Sequence, residues 1–444
     1  MIPIWALAFG LVLSPGQATP GQQRANTGTH LFEYVRGCYF TNWAQYRQDR
    51  GKYLPEHYVP GLCTHIFYAF VIMDNEFQLK PFEWNDDSSE GTLGNYERVN
   101  GLKKVQPDLK TLLSFGGYTF SQANAGLLTK MASTNETRRK FIDSIIEYTR
   151  SRNFDGFDFD WEYPLAEDKL NFAALLKETR EAFEQEAHQT GKPRLLLTAA
   201  VAAGSEKIDA GYVPSAMAQA LDYINVMAYD FHGSWETVTG FNSPLFDRDD
   251  DHMAVSSAVN HWVSKGVPRK KLLIGFGSYG RGWTLANASL NGVGAQTVNA
   301  APAQNYTKEA GVAAYYEICQ ILNDVKTLHS YDVAQQSPYL VKDNLWFGYD
   351  DVQSFDAKLQ WLKKNGFGGA FVWTLDQDDF LGQCPQGNNT RYPLISRLAY
   401  RLAKELVADQ SPPIQHHSGT TCHTTSTLVL ATLALVAPTI GQCV

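Results

Sequence analysis

Short apolar runs separated by longer amphipathic stretches recur along most of this chain. Eight runs are nearly continuous in apolar residues, as strands buried on both faces of a parallel sheet are. They cover residues 34–40, 64–71, 109–115, 156–161, 195–201, 223–229, 272–276 and 369–373. Between most of them the periodicity predicts helices, for example over residues 137–152, 169–188, 252–265 and 358–364. This alternation predicts an α/β fold, a (β/α)8 TIM barrel. A doubly wound sheet is the alternative, although no glycine-rich phosphate turn follows the first run.

A long segment, residues 285–350, separates the seventh predicted strand from the next barrel helix and exceeds a simple loop. It holds aromatic-rich runs at residues 315–319, 339–341 and 346–350. We predict a small α+β insertion here, within a barrel domain that spans residues 33–405. Such an insertion would wall one side of the barrel mouth and form a groove that suits a polymer.

The fourth predicted strand carries an unusual density of acids. Asp158, Asp160 and Glu162 occupy alternate positions, so on a strand they point to one face while the aromatic residues between them point to the other. Acid clusters are usually solvated loops or calcium ligands. The flanking aromatics make this segment too apolar for a solvated loop, and calcium loops place their ligands at turn spacing. The pattern therefore predicts a cavity in which like charges keep one carboxyl protonated, as a general acid requires.

Most of the remaining polar and aromatic residues that interrupt the apolar pattern lie at the C-terminal ends of the predicted strands. In a barrel these ends meet at one mouth, where active sites are built. The composition fits a carbohydrate site there, because 10 Trp and 22 Tyr offer stacking platforms for sugars, although aromatics are also ordinary core material. A net charge of −8 without a long basic run argues against nucleic acid as a partner. No His/Cys cluster indicates a metal site.

Both ends of the chain carry signals of secretion. Residues 2–13 are apolar and the small residues at 16 and 18 predict cleavage of a signal peptide, residues 1–18. The tail, residues 411–444, has a polar spacer and a short apolar end, which match a GPI-attachment signal. A disordered terminus or a buried terminal strand is the alternative. We therefore expect a secreted, extracellular protein that a C-terminal lipid anchor holds at the cell surface. The predicted glycosylation sites are Asn135, Asn287, Asn305 and Asn388.

The sequence DGFDFDWEYP at residues 155–164 resembles the signature of the family 18 glycoside hydrolases, the chitinases and chitinase-like lectins. Segments 38–43, 114–117, 227–230, 279–281 and 368–373 also resemble animal chitinases, in the same order. The resemblance covers roughly residues 33–405. It implies the barrel with its insertion, and disulfides that join Cys38 to Cys63 and Cys319 to Cys384.

The resemblance also implies a reaction, the endo-hydrolysis of chitin or chito-oligosaccharides, β-1,4-linked N-acetylglucosamine polymers. Glu162 would be the general acid and then the base, Asp160 would orient the acetamido group, Asp158 would share a proton with Asp160, and Tyr229 would hydrogen-bond the acetamido oxygen. From the residues alone, Asp160 could equally be a nucleophile. The resemblance implies instead that the substrate's own acetamido oxygen attacks. It implies no metal or cofactor, and we expect a monomer.

The resemblance assigns the rest of the mouth to substrate binding, with Trp373 as the floor under the cleaved sugar. The expected substrate-binding residues are Tyr39, Trp43, Phe70, Trp84, Gly117, Tyr118, Met227, Asp230, Tyr279, Arg281 and Trp373. Tyr118 stands where active relatives usually have Trp, so we expect weaker binding of long oligomers. A chitin-binding lectin or signalling protein on the same fold is the alternative, but lectin relatives usually lose the acid at the position of Glu162. An N-glycan-trimming enzyme would lack the long insertion.

Overall fold

The computed structural model describes residues 29–249, 251–403 and 405–408 of the chain. Its strands are β1 Thr29–Phe32, β2 Val35–Thr41, β3 His65–Met73, β4 Leu79–Pro81, β5 Lys110–Gly116, β6 Gly156–Asp160, β7 Leu196–Val201, β8 Tyr223–Val226, β9 Leu272–Gly277, β10 Tyr279–Leu285, β11 Thr297–Ala300, β12 Val312–Ala314, β13 Leu328–Asp332, β14 Ser337–Lys342, β15 Leu345–Gly348, β16 Gly369–Trp373 and β17 Glu405–Ala408. Its α-helices are α1 Asn95–Gly101, α2 Gly117–Ala123, α3 Ala125–Ser133, α4 Asn135–Ser151, α5 Lys169–Thr190, α6 Ser205–Gly211, α7 Pro214–Ala220, α8 Val255–Ser264, α9 Tyr315–Leu322, α10 Val352–Lys364 and α11 Pro393–Arg401.

The central sheet closes on itself. Parallel strands follow the order β2-β16-β9-β8-β7-β6-β5-β3, and β3 pairs in turn with β2. β4 extends the sheet as an antiparallel neighbour of β3, and β1 pairs with β17 in a separate two-stranded sheet. The predicted (β/α)8 barrel is confirmed. Because all eight strands are parallel, their C-terminal ends open on one mouth, where the candidate site lies.

The alternating pattern of β6 divides its side chains between two environments. Phe157 and Phe159 face outward, where their ring centroids lie 6.4 and 6.3 Å from the ring of Phe141 on α4. Asp158 and Asp160 face the barrel interior, and both are buried. Each buried aromatic side chain contributes about 1.5–3 kcal/mol of transfer free energy. The aromatic face thus holds the strand against the helix layer and sets the acids into the barrel.

The predicted α+β insertion between β9 and α10 is also confirmed. It is a six-stranded antiparallel sheet in the order β11-β10-β15-β14-β13, with β12 beside β10, together with α9. The sheet begins at Tyr279, ahead of the predicted start at residue 285, because β10 follows β9 with only Ser278 between them. β10 carries Tyr279 and Arg281 at alternate positions, so one face of the insertion presents both side chains.

Both disulfides that the resemblance implies are present, Cys38–Cys63 and Cys319–Cys384. The first joins β2 to the residues ahead of β3, and the second joins α9 to the segment after β16. Asn135, Asn287, Asn305 and Asn388 are all exposed, and their glycosylation stays a prediction. The predicted signal peptide and C-terminal tail lie outside the described residues. In the described part of the chain, no helix is both long and apolar enough to cross a membrane.

Candidate active site

The three acids of the DGFDFDWEYP segment form one row along the barrel interior, here called the acid row: Asp158, Asp160 and Glu162. Asp158 and Asp160 belong to β6 and are almost wholly buried, whereas Glu162 lies just beyond the strand and is half-buried. The row therefore runs from the closed interior of the barrel to its open mouth.

The inner acid, Asp158, is surrounded by donors from other strands. One carboxylate oxygen accepts hydrogen bonds from Tyr39 Oη and Ser114 Oγ, each at 2.8 Å. The other accepts from Thr198 Oγ1 at 2.5 Å and from Asn225 Nδ2 at 3.3 Å. Burial raises the pKa of Asp158, while the hydroxyl donors oppose that rise because they favour the charged form. Asp158 is therefore equipped to carry negative charge inside the barrel.

The middle acid, Asp160, has the opposite surroundings. Its Oδ1 is buried and accepts no hydrogen bond from any residue that the structure describes. Burial raises the pKa of Asp160 well above its usual range, and the charges of Glu162 and Asp158 raise it further. A buried carboxyl without donors between two other acids takes a proton. These surroundings favour the protonated, neutral form of Asp160.

The outer acid, Glu162, has a pKa suited to proton transfer. Burial raises its pKa to about 7, and the charge of Asp230 adds to this. Contacts with the Tyr163 side chain, the Lys207 charge and the Tyr118 backbone work in the opposite direction. A carboxyl with a pKa near the working pH can both give up and recover a proton, as a general acid and base must.

Helix α2 fixes the backbone of Glu162 from both sides. The Glu162 N–H donates to Ser121 Oγ at 3.0 Å, and Gln122 Nε2 donates to the Glu162 carbonyl at 2.6 Å. The helix approaches closely because Gly116, just before it, and Gly117, its first residue, both have positive φ. A Cβ on Gly116 would lie 2.4 Å from the carbonyl oxygen of Asp160, and one on Gly117 would lie 2.3 Å from the Phe70 ring.

Aromatic rings form one side of the mouth. The Trp373 ring lies 6.0 Å from that of Phe70 in a stacked arrangement, 6.2 Å from that of Trp43 and 5.3 Å from that of Tyr39. Trp373 and Trp43 are half-buried, so each keeps part of its ring accessible. These four rings form an apolar floor beside the acid row, which is the kind of surface on which a sugar ring stacks.

Polar groups that follow β9, the neighbour of β16, and β8, the neighbour of β9, form the adjoining part of the mouth. Asp230 accepts hydrogen bonds from Tyr279 Oη at 2.5 Å, and its two oxygens receive Arg281 Nε at 2.8 Å and Nη2 at 2.7 Å. Tyr229 lies with its ring centroid 6.2 Å from that of Tyr279. Burial raises the pKa of Tyr229 well above its usual range, so its hydroxyl keeps its proton and can donate. Met227 packs in the same buried cluster as Tyr229.

Two predicted residues stand apart from this cluster. Tyr118 and Trp84 are 63% and 81% exposed, so they lie on the rim rather than within the packed site. Trp235, which sequence reasoning did not select, is also exposed, and the Arg281 guanidinium lies 5.3 Å from its ring centroid. Among the described residues, no group of three or more His, Cys, Asp and Glu side chains could hold a metal ion.

Sequence reasoning also missed the groups that control the acid row. Ser121 and Gln122 were passed over, as were Ser114, Thr198 and Asn225. The last two carried a usable signal, since each is a polar residue within an otherwise apolar strand. A polar side chain at a fully buried strand position needs a hydrogen-bond partner inside the barrel.

Comparisons with known proteins identify the family of this chain. The sequence model described as "Glycosyl hydrolases family 18" matches residues 35–378. Over 386 residues the chain is 47% identical to a protein of Caenorhabditis elegans named "Probable endochitinase", and the match covers 84% of this chain and 61% of that relative's length. The chain thus spans about three fifths of that relative.

Two solved structures share the whole barrel. An "immunomodulatory active chitinase" of Trichuris suis has 48% identity and a TM-score of 0.80, with 83% of this chain and 100% of that chain covered. A human "pseudo-chitinase with retained chitooligosaccharide binding properties" has 40% identity and a TM-score of 0.77, with 83% and 99% covered. Because the family match extends from the first barrel strand past the last and includes the acid row, the chain belongs to the glycosyl hydrolases of family 18.

Proposed function

We propose that this chain is an endo-acting chitinase that hydrolyses β-1,4 linkages between N-acetylglucosamine units, with Glu162 as general acid and base. The observation that carries the proposal is the division of charge along the acid row. Glu162 has a pKa of about 7, Asp160 Oδ1 accepts no hydrogen bond from the described residues and the pKa of Asp160 is raised well above its usual range, and Asp158 accepts four hydrogen bonds. Each acid is therefore suited to a different part of one reaction.

In the proposed first step, Glu162 donates its proton to the glycosidic oxygen as the bond from that oxygen to C1 breaks. The acetamido oxygen of the same sugar attacks C1 and gives a cyclic oxazolinium ion, so no enzyme nucleophile is needed. Tyr229 donates a hydrogen bond to the acetamido group. Asp160 passes its proton toward Asp158 and offers a carboxylate to the positive charge that develops beside it.

In the proposed second step, the Glu162 carboxylate takes a proton from a water molecule. The resulting hydroxide attacks C1, the bond from C1 to the acetamido oxygen breaks, and the product keeps its original anomeric configuration. Two displacements at C1 account for this retention. The proton that Glu162 gave to the leaving sugar is thereby replaced, and Asp158 returns its proton to Asp160 as the positive charge disappears, so the acid row is back in its starting state.

A lectin on the same fold is the second candidate. The human pseudo-chitinase, at 40% identity, is described as binding chitooligosaccharides, so this fold can bind such ligands without turnover. Glu162 favours an enzyme for this chain, because a lectin has no use for a proton donor whose pKa lies near 7.

Turnover of N-acetylglucosamine oligomers by the wild type and by Glu162→Gln separates these candidates. We expect wild-type cleavage in the interior of the oligomer and a loss of about 10²–10⁴ in kcat for Glu162→Gln, with binding retained in calorimetric titration. Glu167→Gln is a matched control, because Glu167 is exposed and lies just beyond the site. Binding without turnover by the wild type would assign the chain to the lectins, and turnover by Glu162→Gln would remove Glu162 from its role.

Fully deacetylated chitosan tests the source of the nucleophile. Without an acetamido oxygen the oxazolinium ion cannot form, so we expect no cleavage by an enzyme preparation that cleaves acetylated oligomers. Brisk cleavage of chitosan would indicate a carboxylate nucleophile, and Asp160 would then be the first candidate.

We further propose that the chain acts as a monomer outside the cell, held at the surface by a lipid anchor at its C-terminal tail. The sequence of residues 411–444 supports this. Treatment of cells with a phosphatidylinositol-specific phospholipase should release the protein. Protein found only in the medium, or protein that stays on membranes after treatment, would refute the anchor, and sedimentation of the released protein checks the monomer.

A further inference from the structure

Aromatic side chains continue from the floor of the site toward the surface. Trp43 lies 6.2 Å from Trp373, and it belongs to the short 3-10 helix Asn42–Tyr46, which ends at Tyr46. Trp84 lies on the loop that follows β4. Exposure rises along this series, from half-buried Trp43 to Tyr46 at 52% and Trp84 at 81%. We call Trp43, Tyr46 and Trp84 the distal track.

A buried carboxylate joins the two segments that carry the distal track. Asp86, on the Trp84 loop, is fully buried and accepts hydrogen bonds from Asn42 Nδ2 and the Glu83 N–H, both at 2.9 Å. It also accepts a short hydrogen bond from Tyr68 Oη. Near the surface, Tyr46 Oη donates to Glu83 Oε2 at 2.7 Å. The loop is therefore tied both to the 3-10 helix and to β3.

We propose that Asp86 is a positioning residue that holds Trp84 in line with Trp43 and thereby sets the affinity for long oligosaccharides. Asp86 has no exposed surface, so it acts on a sugar only through the aromatic rings that it positions. A loop that already has its bound conformation loses less conformational entropy when the ligand binds, so the ligand binds more tightly. This inference rests on the proposed function for the identity of the sugar polymer.

The effect of the hydrogen bonds of Asp86 should depend on substrate length. The proposal requires that the distal track hold sugar units beyond those at Glu162, so that a hexamer of N-acetylglucosamine occupies the track and a trimer does not. Asp86→Asn keeps the shape of the side chain but replaces an acceptor oxygen with an NH2 group that faces other donors. We expect KM for the hexamer to rise about tenfold and KM for the trimer to change much less, since one unsatisfied buried group has an effect of this order.

Asp87→Asn provides the matched control. Asp87 is the next residue, and it forms an ion pair with Arg152, just after the end of α4. We expect its KM ratio for trimer and hexamer to equal that of the wild type, whereas Trp84→Ala should weaken hexamer binding as Asp86→Asn does. Equal changes for both oligomers in Asp86→Asn, or an unchanged hexamer KM in Asp86→Asn or Trp84→Ala, would overturn the proposal.

Two further measurements keep the outcome decisive. If Asp86→Asn does not fold, as judged by its thermal unfolding, Tyr68→Phe removes a single hydroxyl from the same carboxylate and should lower the hexamer preference in the same direction. If the wild type cleaves neither oligomer, the proposed function fails, while calorimetric titration of trimer and hexamer still tests Asp86 by the ratio of their dissociation constants. A ratio that neither Asp86→Asn nor Tyr68→Phe alters would reject the role of Asp86.

Discussion

Asp158 and Asp160 lie two residues apart on one strand and are both buried, yet their hydrogen-bond partners differ. Asp158 accepts four hydrogen bonds from four different strands, whereas Asp160 Oδ1 accepts none from the described residues. Burial raises the pKa of each, but only Asp158 has donors that oppose the rise. The neighbouring charges of Glu162 and Asp158 raise the pKa of Asp160 further, so hydrogen-bond donors and nearby charges, rather than depth in the barrel, distinguish the two acids.

The register of the neighbouring strand explains part of this contrast. Asp158 of β6 lies opposite Ser114 of β5 and Thr198 of β7, both of which bring a hydroxyl. Asp160 lies opposite Gly116, which brings no side chain and allows helix α2 to approach instead. The same register therefore places hydroxyl donors beside Asp158 and no donor side chain from β5 beside Asp160.

Replacing Asp160 tests the contrast most severely. In Asp160→Asn the side chain keeps its size but can no longer become a carboxylate beside the proposed oxazolinium ion. We expect kcat to fall about 10²–10³-fold, the usual effect of losing one electrostatic stabiliser, while oligomer binding measured by calorimetry is largely kept. Turnover within about threefold of the wild type would mean that the proton on Asp160 has no part in the reaction.

Removing one donor from Asp158 should make the two acids more alike. Thr198→Val keeps the shape of the side chain and deletes the hydroxyl that lies 2.5 Å from Asp158. We expect the free energy of unfolding in urea to fall by about 1–3 kcal/mol, because a buried carboxylate loses a hydrogen bond. We also expect a decrease in kcat of about tenfold. The loss of a donor raises the pKa of Asp158, so Asp158 is more often protonated already and less often able to accept the proton of Asp160.

Thr198→Ser is the control for this variant, since it restores the hydroxyl without the methyl group. It should recover kcat even if part of the stability stays lost to the missing methyl. If Thr198→Val and Thr198→Ser reduced kcat equally, packing rather than donor supply would explain the role of Thr198.

The sequence was most informative where one residue pattern carried a structural constraint by itself. Continuous apolar runs predicted the barrel strands, and the alternation of Asp158, Asp160 and Glu162 predicted their shared face. The periodicity predicts that α10 begins at residue 358, whereas the helix begins at Val352, because its cap follows an aromatic-rich stretch. Asp351 accepts a hydrogen bond from the Ser354 N–H at 2.8 Å, which is an N-cap signal that the periodicity did not include.

The donors of the acid row could not be found in the same way. Thr198 and Asn225 reach Asp158 only because of the register in which β7 and β8 join the barrel. Chain order predicts which strands are neighbours in a barrel but leaves their register open. The position of Asp86 under the distal track has the same origin, because Asn42 and Tyr68 come from segments that only the closed barrel brings together.

The outer end of the acid row gives the smallest and most specific test. Glu162 has a folded pKa of about 7, above its ordinary value of 4.5, so the folded state holds this proton more tightly than the unfolded state. The stability from this proton is fully present below the ordinary value and is lost as pH rises through about 7. Glu162→Gln cannot lose a proton. Its free energy of unfolding should therefore rise relative to that of the wild type as pH increases from about 4.5 through about 7. Denaturant unfolding at a series of pH values measures the difference, with Glu167→Gln expected to run parallel to the wild type. A constant difference between Glu162→Gln and the wild type would place the pKa of Glu162 near its ordinary value and would contradict its role as a proton donor near neutral pH.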